Sequence, residues 1–177
     1  VEALWERLRR RRLLALIGPS GAGKTSFLRA GVIPARPEGW GAIVATPGRS
    51  PMNGLAQALA PEVAGDAEAV KELLRFDDPD VAVGLLGRWR HGVHEALLVV
   101  DQFEELFTLN SQETQARLAQ LLGRLAEEAG LHVLLSLRDD FLIRCHEHEA
   151  LAPVFTADLT PLLALRGDGL RRALVEP

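Results

Sequence analysis

The chain has 177 residues, 47% apolar and 25% charged, with a formal net charge of -4 and a pI near 5.8. That composition supports a proper core and excludes a disordered segment, while the acidic balance argues against nucleic acid as a partner. No apolar run approaches the roughly 20 residues that span a bilayer, which argues against a membrane partner, and a single cysteine, Cys145, excludes an intramolecular disulfide and fits a reducing, cytoplasmic setting.

Val1, Leu4, Trp5 and Leu8 share one helical face, so a helix is expected from Val1 to Arg11, leading into a first strand at about Arg12 to Ile17. The basic cluster Arg7, Arg9, Arg10, Arg11 and Arg12 reads as a solvated helix end that complements the macrodipole. A glycine-rich turn follows, then a helix from Ser26 to Ala30 that Gly31 and Pro34 should stop. Trp40 to Thr46 reads as the second strand, closed by Pro47-Gly48, and Pro51 starts another helix. Helices are expected at about Asp66 to Arg75 and Pro79 to Arg90, with a turn at Asp77-Asp78-Pro79. Ala96 to Val100 is a continuous apolar run, the pattern of a strand buried on both faces, and it ends in Asp101. Asn110 with Glu113 resembles a capping box for a helix through Leu118, Leu121, Leu122 and Leu125, stopped by Gly130. Leu131 to Leu137 reads as the next strand, Phe141 to Glu149 as helical, Val154 to Leu159 as a fifth strand, and Asp168 as the cap of a last helix from Gly169 to Val175. Alternation of this kind builds right-handed βαβ units with helices on both faces of a parallel sheet, and ligands then sit at the carboxyl ends of the strands.

Three charged clusters fall at such ends. Gly18-Pro19-Ser20-Gly21-Ala22-Gly23-Lys24-Thr25 is a phosphate-binding loop between a strand and a helix. Glycines there let successive N–H groups face an anion without a Cβ in the way, and the helix start from Thr25-Ser26 adds partial positive charge. Lys24 should reach the β- and γ-phosphates, and the Thr25 hydroxyl should take a position on Mg²⁺. Asp101 is placed to hold Mg²⁺ through a water, and Glu104 or Glu105 to polarise an attacking water, unless both glutamates merely favour a helix N-terminus. Arg138 either contacts a γ-phosphate or forms a salt bridge with Asp139, Asp140 or Asp101. His91 with His94, and Cys145 with His146 and His148, do not complete a zinc set, and Cys145 reads as a partly buried thiol.

The run from Gly18 to Pro34, Val99-Val100-Asp101-Gln102-Phe103-Glu104-Glu105-Leu106-Phe107-Thr108 and Leu137-Arg138-Asp139-Asp140-Phe141 together resemble the STAND class of P-loop ATPases, within it the bacterial novel STAND NTPases of multidomain signalling and defence proteins. The stretches Leu159 to Leu162 and Leu170 to Pro177 look like the same family. The resemblance implies a P-loop NTPase α/β fold, three-layer α/β/α with a mainly parallel five-stranded sheet. It also implies a switch in which an ADP-bound resting form gives way to an ATP-bound form that self-associates and activates an attached effector, with slow Mg²⁺-dependent hydrolysis resetting it. Carried over, Lys24 and Thr25 match the Walker A pair, Asp101 the Walker B metal ligand, Glu104 or Glu105 the acid after it, and Arg138 the sensor arginine. Gln102 stands where motor ATPases place glutamate, Thr46 where an arginine before Pro-Gly is usual, and Asp139 where the arginine motif has a small residue. Residues 1–177 are thus expected to be the core of a longer protein, with lid, effector and sensor regions outside it. The alternatives are a nucleotide-dependent interaction platform without useful catalysis and a P-loop small-molecule kinase.

Overall fold

The apolar runs form a parallel sheet of β1 (Leu13–Gly18), β2 (Trp40–Ala45), β3 (Glu95–Val100), β4 (His132–Arg138) and β5 (Leu159–Pro161), in the order β2-β3-β4-β1-β5. These coordinates are a computed structural model, which describes residues 1–152 and 159–162. All four pairings are parallel, with Gly18 opposite Arg138 and Val100 opposite Leu135 and Ala45. The strand carrying Arg138 therefore lies between the strand of the phosphate loop and the strand of Asp101.

Alternation in the strands feeds two cores. Ala15, Ile43, Leu98, Val100, Val133 and Leu135 pack on one face, beneath α3 (Pro51–Val63), α5 (Pro79–His91) and α7 (Gln112–Glu127). Leu14, Leu16, Leu97, Val99 and Leu134 pack on the other, against α1 (Glu2–Arg10) and the helix after the phosphate loop. Period-two burial on both faces is what makes the central strands read as unbroken apolar runs. The result is the three-layer α/β/α fold.

The helix boundaries follow local chemistry. Asp66 caps α4 (Ala67–Leu73) by accepting from the amides of Glu68 and Ala69, and Asp78 caps α5 by accepting from Asp80 N, with Pro79 in the first turn. The helix expected at Ser26 to Ala30 is α2 (Lys24–Ser26) continued by a π-helical turn from Phe27 to Val32. Gly31 does not stop it, because the amide of Ile33 reaches back to Leu28 O at 2.9 Å and Trp5 Nε1 donates to Val32 O at 3.2 Å. The cap of α7 is Ser111, which accepts from Thr114 N at 3.3 Å, and not Asn110. Asn110 is drawn elsewhere, donating through Nδ2 to Gly48 O at 2.7 Å.

A short helix, α6 (Glu105–Leu109), separates β3 from α7. The helical stretch expected from Phe141 is a 3₁₀ turn at Asp139–Phe141 followed by α8 (Leu142–His146). Of the fifth strand expected at Val154 to Leu159, only Leu159 is shared with β5, and residues 153–158 lie outside the described residues, as does the last helix expected at Gly169 to Val175. Among the described residues no helix is long and apolar enough to cross a membrane.

Candidate functional site

At the carboxyl edge of the sheet, residues 20–26, Asp101, Gln102, Glu104 and Arg138 line one cleft of about 310 Å³. A somewhat larger cavity, about 350 Å³ between α3, α4 and α5, has Val63, Leu85 and Trp89 in its wall and gathers none of these groups.

The phosphate loop leaves β1 at Gly18, turns through Gly21 and Gly23 at φ 75° and 83°, and enters α2 at Lys24. Those left-handed turns are open to glycine at little cost, and they allow the amides of the loop to face one point. Lys24 Nζ donates to Gly18 O at 2.8 Å and Pro19 O at 3.0 Å, so the ammonium is folded over the loop it serves. Gly18 is required for a different reason: a Cβ there would stand 2.4 Å from the carbonyl oxygen of Leu162, just beyond β5.

Asp101 is placed by a crossing of the chain over the end of β3. Its amide donates to Ala45 O of β2 at 2.9 Å, and two residues later Phe103 N donates to Ser136 O of β4 at 2.8 Å. Gln102, between them, takes φ 54°, an uncommon conformation for a side chain without a short polar group. Its amide donates to Asp101 Oδ1 at 3.0 Å. The other oxygen, Oδ2, is buried with no hydrogen-bond partner among the described residues. A buried carboxylate with a bare oxygen beside the Thr25 hydroxyl's loop is a hard-oxygen donor set, which fits Mg²⁺.

The two glutamates part company. Glu105 Oε2 accepts from Gly48 N at 3.1 Å, and Asn110 Nδ2 bridges Gly48 O and Glu105 O, so Glu105 fastens the β2–α3 loop to α6. Glu104 lines the cleft, and its Oε2 is buried without a partner among the described residues. Neighbours at the start of a helix diverge by about 100°, so only one can face the phosphate loop.

Arg138 also lines the cleft, and it forms the salt bridge that was one of its two readings: Nε to Asp140 Oδ1 at 3.0 Å and Nη2 to Asp140 Oδ2 at 2.6 Å. The acid that engages it is Asp140, while the neighbouring Asp139, like Asp140 exposed, makes no hydrogen bond to it. The guanidinium lies 5.5 Å from the Phe141 ring centre, Phe141 stacks on Phe107 of α6 at 6.2 Å, and Phe107 meets Phe103 edge-on at 5.7 Å. Of the three acids that the sequence left open as partners of Arg138, the structure selects Asp140. The ring of Phe141 beside the guanidinium and the positive φ of Gln102 are contributions that the sequence did not signal beyond their places next to Asp140 and Asp101.

The weaker candidates stay apart from the cleft. His91 and His94 are exposed near the end of α5, Cys145 is buried on α8 with its thiol pushed up to about 12 by burial, and among the described residues no three metal-ligating side chains converge.

A phosphate loop at the end of β1, an acid at the end of β3 and an inserted β4 define this as a P-loop NTPase fold with a nucleotide-type site. Three solved structures share the fold at 16–17% identity over 99% of this chain: the Walker-type ATPase paby2304 of Pyrococcus abyssi (TM-score 0.69, 56% of that chain covered), the ORC2 protein of Aeropyrum pernix with ADPNP and ADP (0.68, 50%), and AMPPCP-bound DnaA from Aquifex aeolicus (0.56, 48%). The chain thus spans about half the length of these structures. No curated protein matches the sequence. The model of the family Novel STAND NTPase 1 matches residues 1–177, and the chain belongs to that family of nucleotide-binding NTPases.

Proposed function

We propose that this chain is an ATP/ADP-binding switch domain that hydrolyses ATP slowly and, in a longer cytoplasmic protein, controls self-association and an attached effector in bacterial signalling or defence. The observation that carries the reading is the convergence of Lys24, Thr25, Asp101, Glu104 and Arg138 on one cleft at the sheet's carboxyl edge.

In this mechanism the amides of residues 20–26 and the Lys24 ammonium bind the β- and γ-phosphates. Thr25 and Asp101 would hold Mg²⁺, which supplies charge neutralisation across the phosphate oxygens. Glu104, with its bare buried oxygen, orients a water and accepts its proton as the water oxygen attacks the γ-phosphorus and ADP leaves. Glu105 is assigned the scaffold, since its carboxylate is already engaged by Gly48 N. Arg138 reads the terminal phosphate from β4.

Fluorescent ADP and ATP titrated in Mg²⁺ test the site. Lys24→Ala should weaken binding by about tenfold to a hundredfold, as expected for charge-assisted hydrogen bonds. In the full-length protein Glu104→Gln should keep binding and lose phosphate release, while Glu105→Gln, which retains an acceptor for Gly48 N, should keep both. Equal release from wild type and Glu104→Gln overturns the catalytic assignment. It would favour the second reading, a nucleotide-dependent platform without useful turnover, for which the engagement of Arg138 by Asp140 speaks.

A further inference from the structure

We infer that Asp140 is the positioning residue that turns Arg138 into a reader of the terminal phosphate, so that Asp140 sets the preference for ATP over ADP. The inference rests on the proposed nucleotide site and on Arg138 facing it.

The guanidinium is held on two sides at once. Asp140 takes Nε and Nη2 along one edge of the fork, and the Phe141 ring lies 5.5 Å from Cζ. A planar fork gripped in this way has its rotation about the last side-chain torsions removed. The other nitrogen, Nη1, is engaged by no hydrogen bond among the described residues, and Arg138 still lines the cleft in this pose. Two N–H donors on Nη1 therefore remain for a ligand. Phe141 is in turn braced by Phe107 on α6, whose amide donates to Glu104 O at 3.1 Å, so the ring beside the guanidinium is tied to the backbone of the candidate catalytic acid.

Partial exposure decides what the pair is for. The side chains of Arg138 and Asp140 are 41% and 54% exposed, and an ion pair so wetted adds little to stability. Orientation is the larger consequence. A donor already aimed loses less rotamer freedom when it meets a phosphate than one that must first be ordered. ADP lacks the phosphate that Arg138 would meet, so the benefit falls on ATP alone.

A competing role predicts the opposite sign. If Asp140 merely diverted Arg138 from the phosphate, its removal would free the guanidinium and tighten ATP. The lost negative charge would push the same way, which makes weakening an informative result. Asp139 gives the charge control, being an adjacent exposed acid that makes no bond to Arg138.

The test measures fluorescent ATP and ADP affinity at physiological salt, where the Debye length is about 8 Å, for wild type, Asp140→Asn, Asp139→Asn, Arg138→Ala, the Arg138→Ala/Asp140→Asn pair and Lys24→Ala. Asp140→Asn should weaken ATP by about threefold to tenfold and move ADP by less than about twofold, with Asp139→Asn moving neither ratio. In the Arg138→Ala background Asp140→Asn should add nothing. Asp140→Ser is the second variant, and thermal melts confirm that each is folded. Tighter ATP, or ATP and ADP weakened alike, or a further effect in the absence of Arg138 overturns the inference while leaving the site standing. Wild type indifferent to both nucleotides, or Lys24→Ala indistinguishable from it, overturns the site reading itself.

Discussion

The two ends of one sheet are built to opposite specifications. At the amino edge, Glu95 of β3 gathers Arg90 at 2.9 Å, His132 at 3.6 Å and Arg12 at 4.0 Å, and Trp40 packs edge-on to Trp5 at 5.1 Å and against His132 at 4.8 Å. Arg12 also donates to Gly130 O. Both arginines there face the Glu95 carboxylate and rings close the gaps, while the buried Nδ1 of His132 has no hydrogen-bond partner among the described residues. At the carboxyl edge, Asp101 Oδ2 and Glu104 Oε2 are buried without partners among the described residues, and Gln102 holds an uncommon backbone conformation. Carboxylate oxygens left bare lower stability, and at the cleft they stand where a ligand can supply the partner that they lack. One edge anchors the sheet, and the other is open for chemistry.

That contrast can be broken by substitution. Trp40→Ala, at the amino edge, removes a buried ring from two aromatic contacts and should cost about 3–5 kcal/mol. Calorimetry should register the loss while nucleotide affinity, measured well below the new melting temperature, stays at the wild-type value. A matching fall in affinity would show that the edges are coupled.

Gly18→Ala should strike both properties. Its Cβ meets backbone at Leu162, which has no rotamer through which to yield, so a destabilisation of about 1–3 kcal/mol is expected. Because Gly18 O also receives Lys24, nucleotide binding should weaken in the same variant. Unchanged binding would detach β5 from the loop.

The smallest effect concerns pH. Burial is the main cause that lowers the pKa of His132, with Arg12 adding to it and Glu95 opposing. An unfolded chain then takes up a proton near its ordinary value of 6.5 while the folded chain resists. Stability is therefore full above that pH and falls as acid is added toward the folded value, where the folded chain also protonates. Thermal melts at descending pH should show the loss, and His132→Gln should flatten it. A melting temperature that rises on acidification would mean that Glu95 outweighs burial.

Legibility differed between elements for physical reasons. The strands at β1, β3 and β4 were evident because burial on both faces leaves no room for polar alternation. Asp66 and the Asp78-Pro79 pair marked helix starts because capping is chemistry within a few residues. Ser111 was displaced by Asn110 in that reading, since either residue type caps well and only the pull of Gly48, far along the chain, separates them. The helix after the phosphate loop runs two residues past Ala30, to Val32, because Trp5 Nε1 on α1 donates to Val32 O.

What the chain carries in local order is the phosphate loop, the acid after β3, the arginine after β4 and the alternation that calls for a parallel sheet, because each depends on neighbours in sequence and on the twist of the backbone. Tertiary structure alone decided that β4 enters between β1 and β3, that Glu104 and not Glu105 lines the cleft, and that Asp140 and not Asp139 grips Arg138. Those choices turn on side-chain direction and on contacts between distant segments, such as Glu105 with Gly48, which no spacing within a motif encodes.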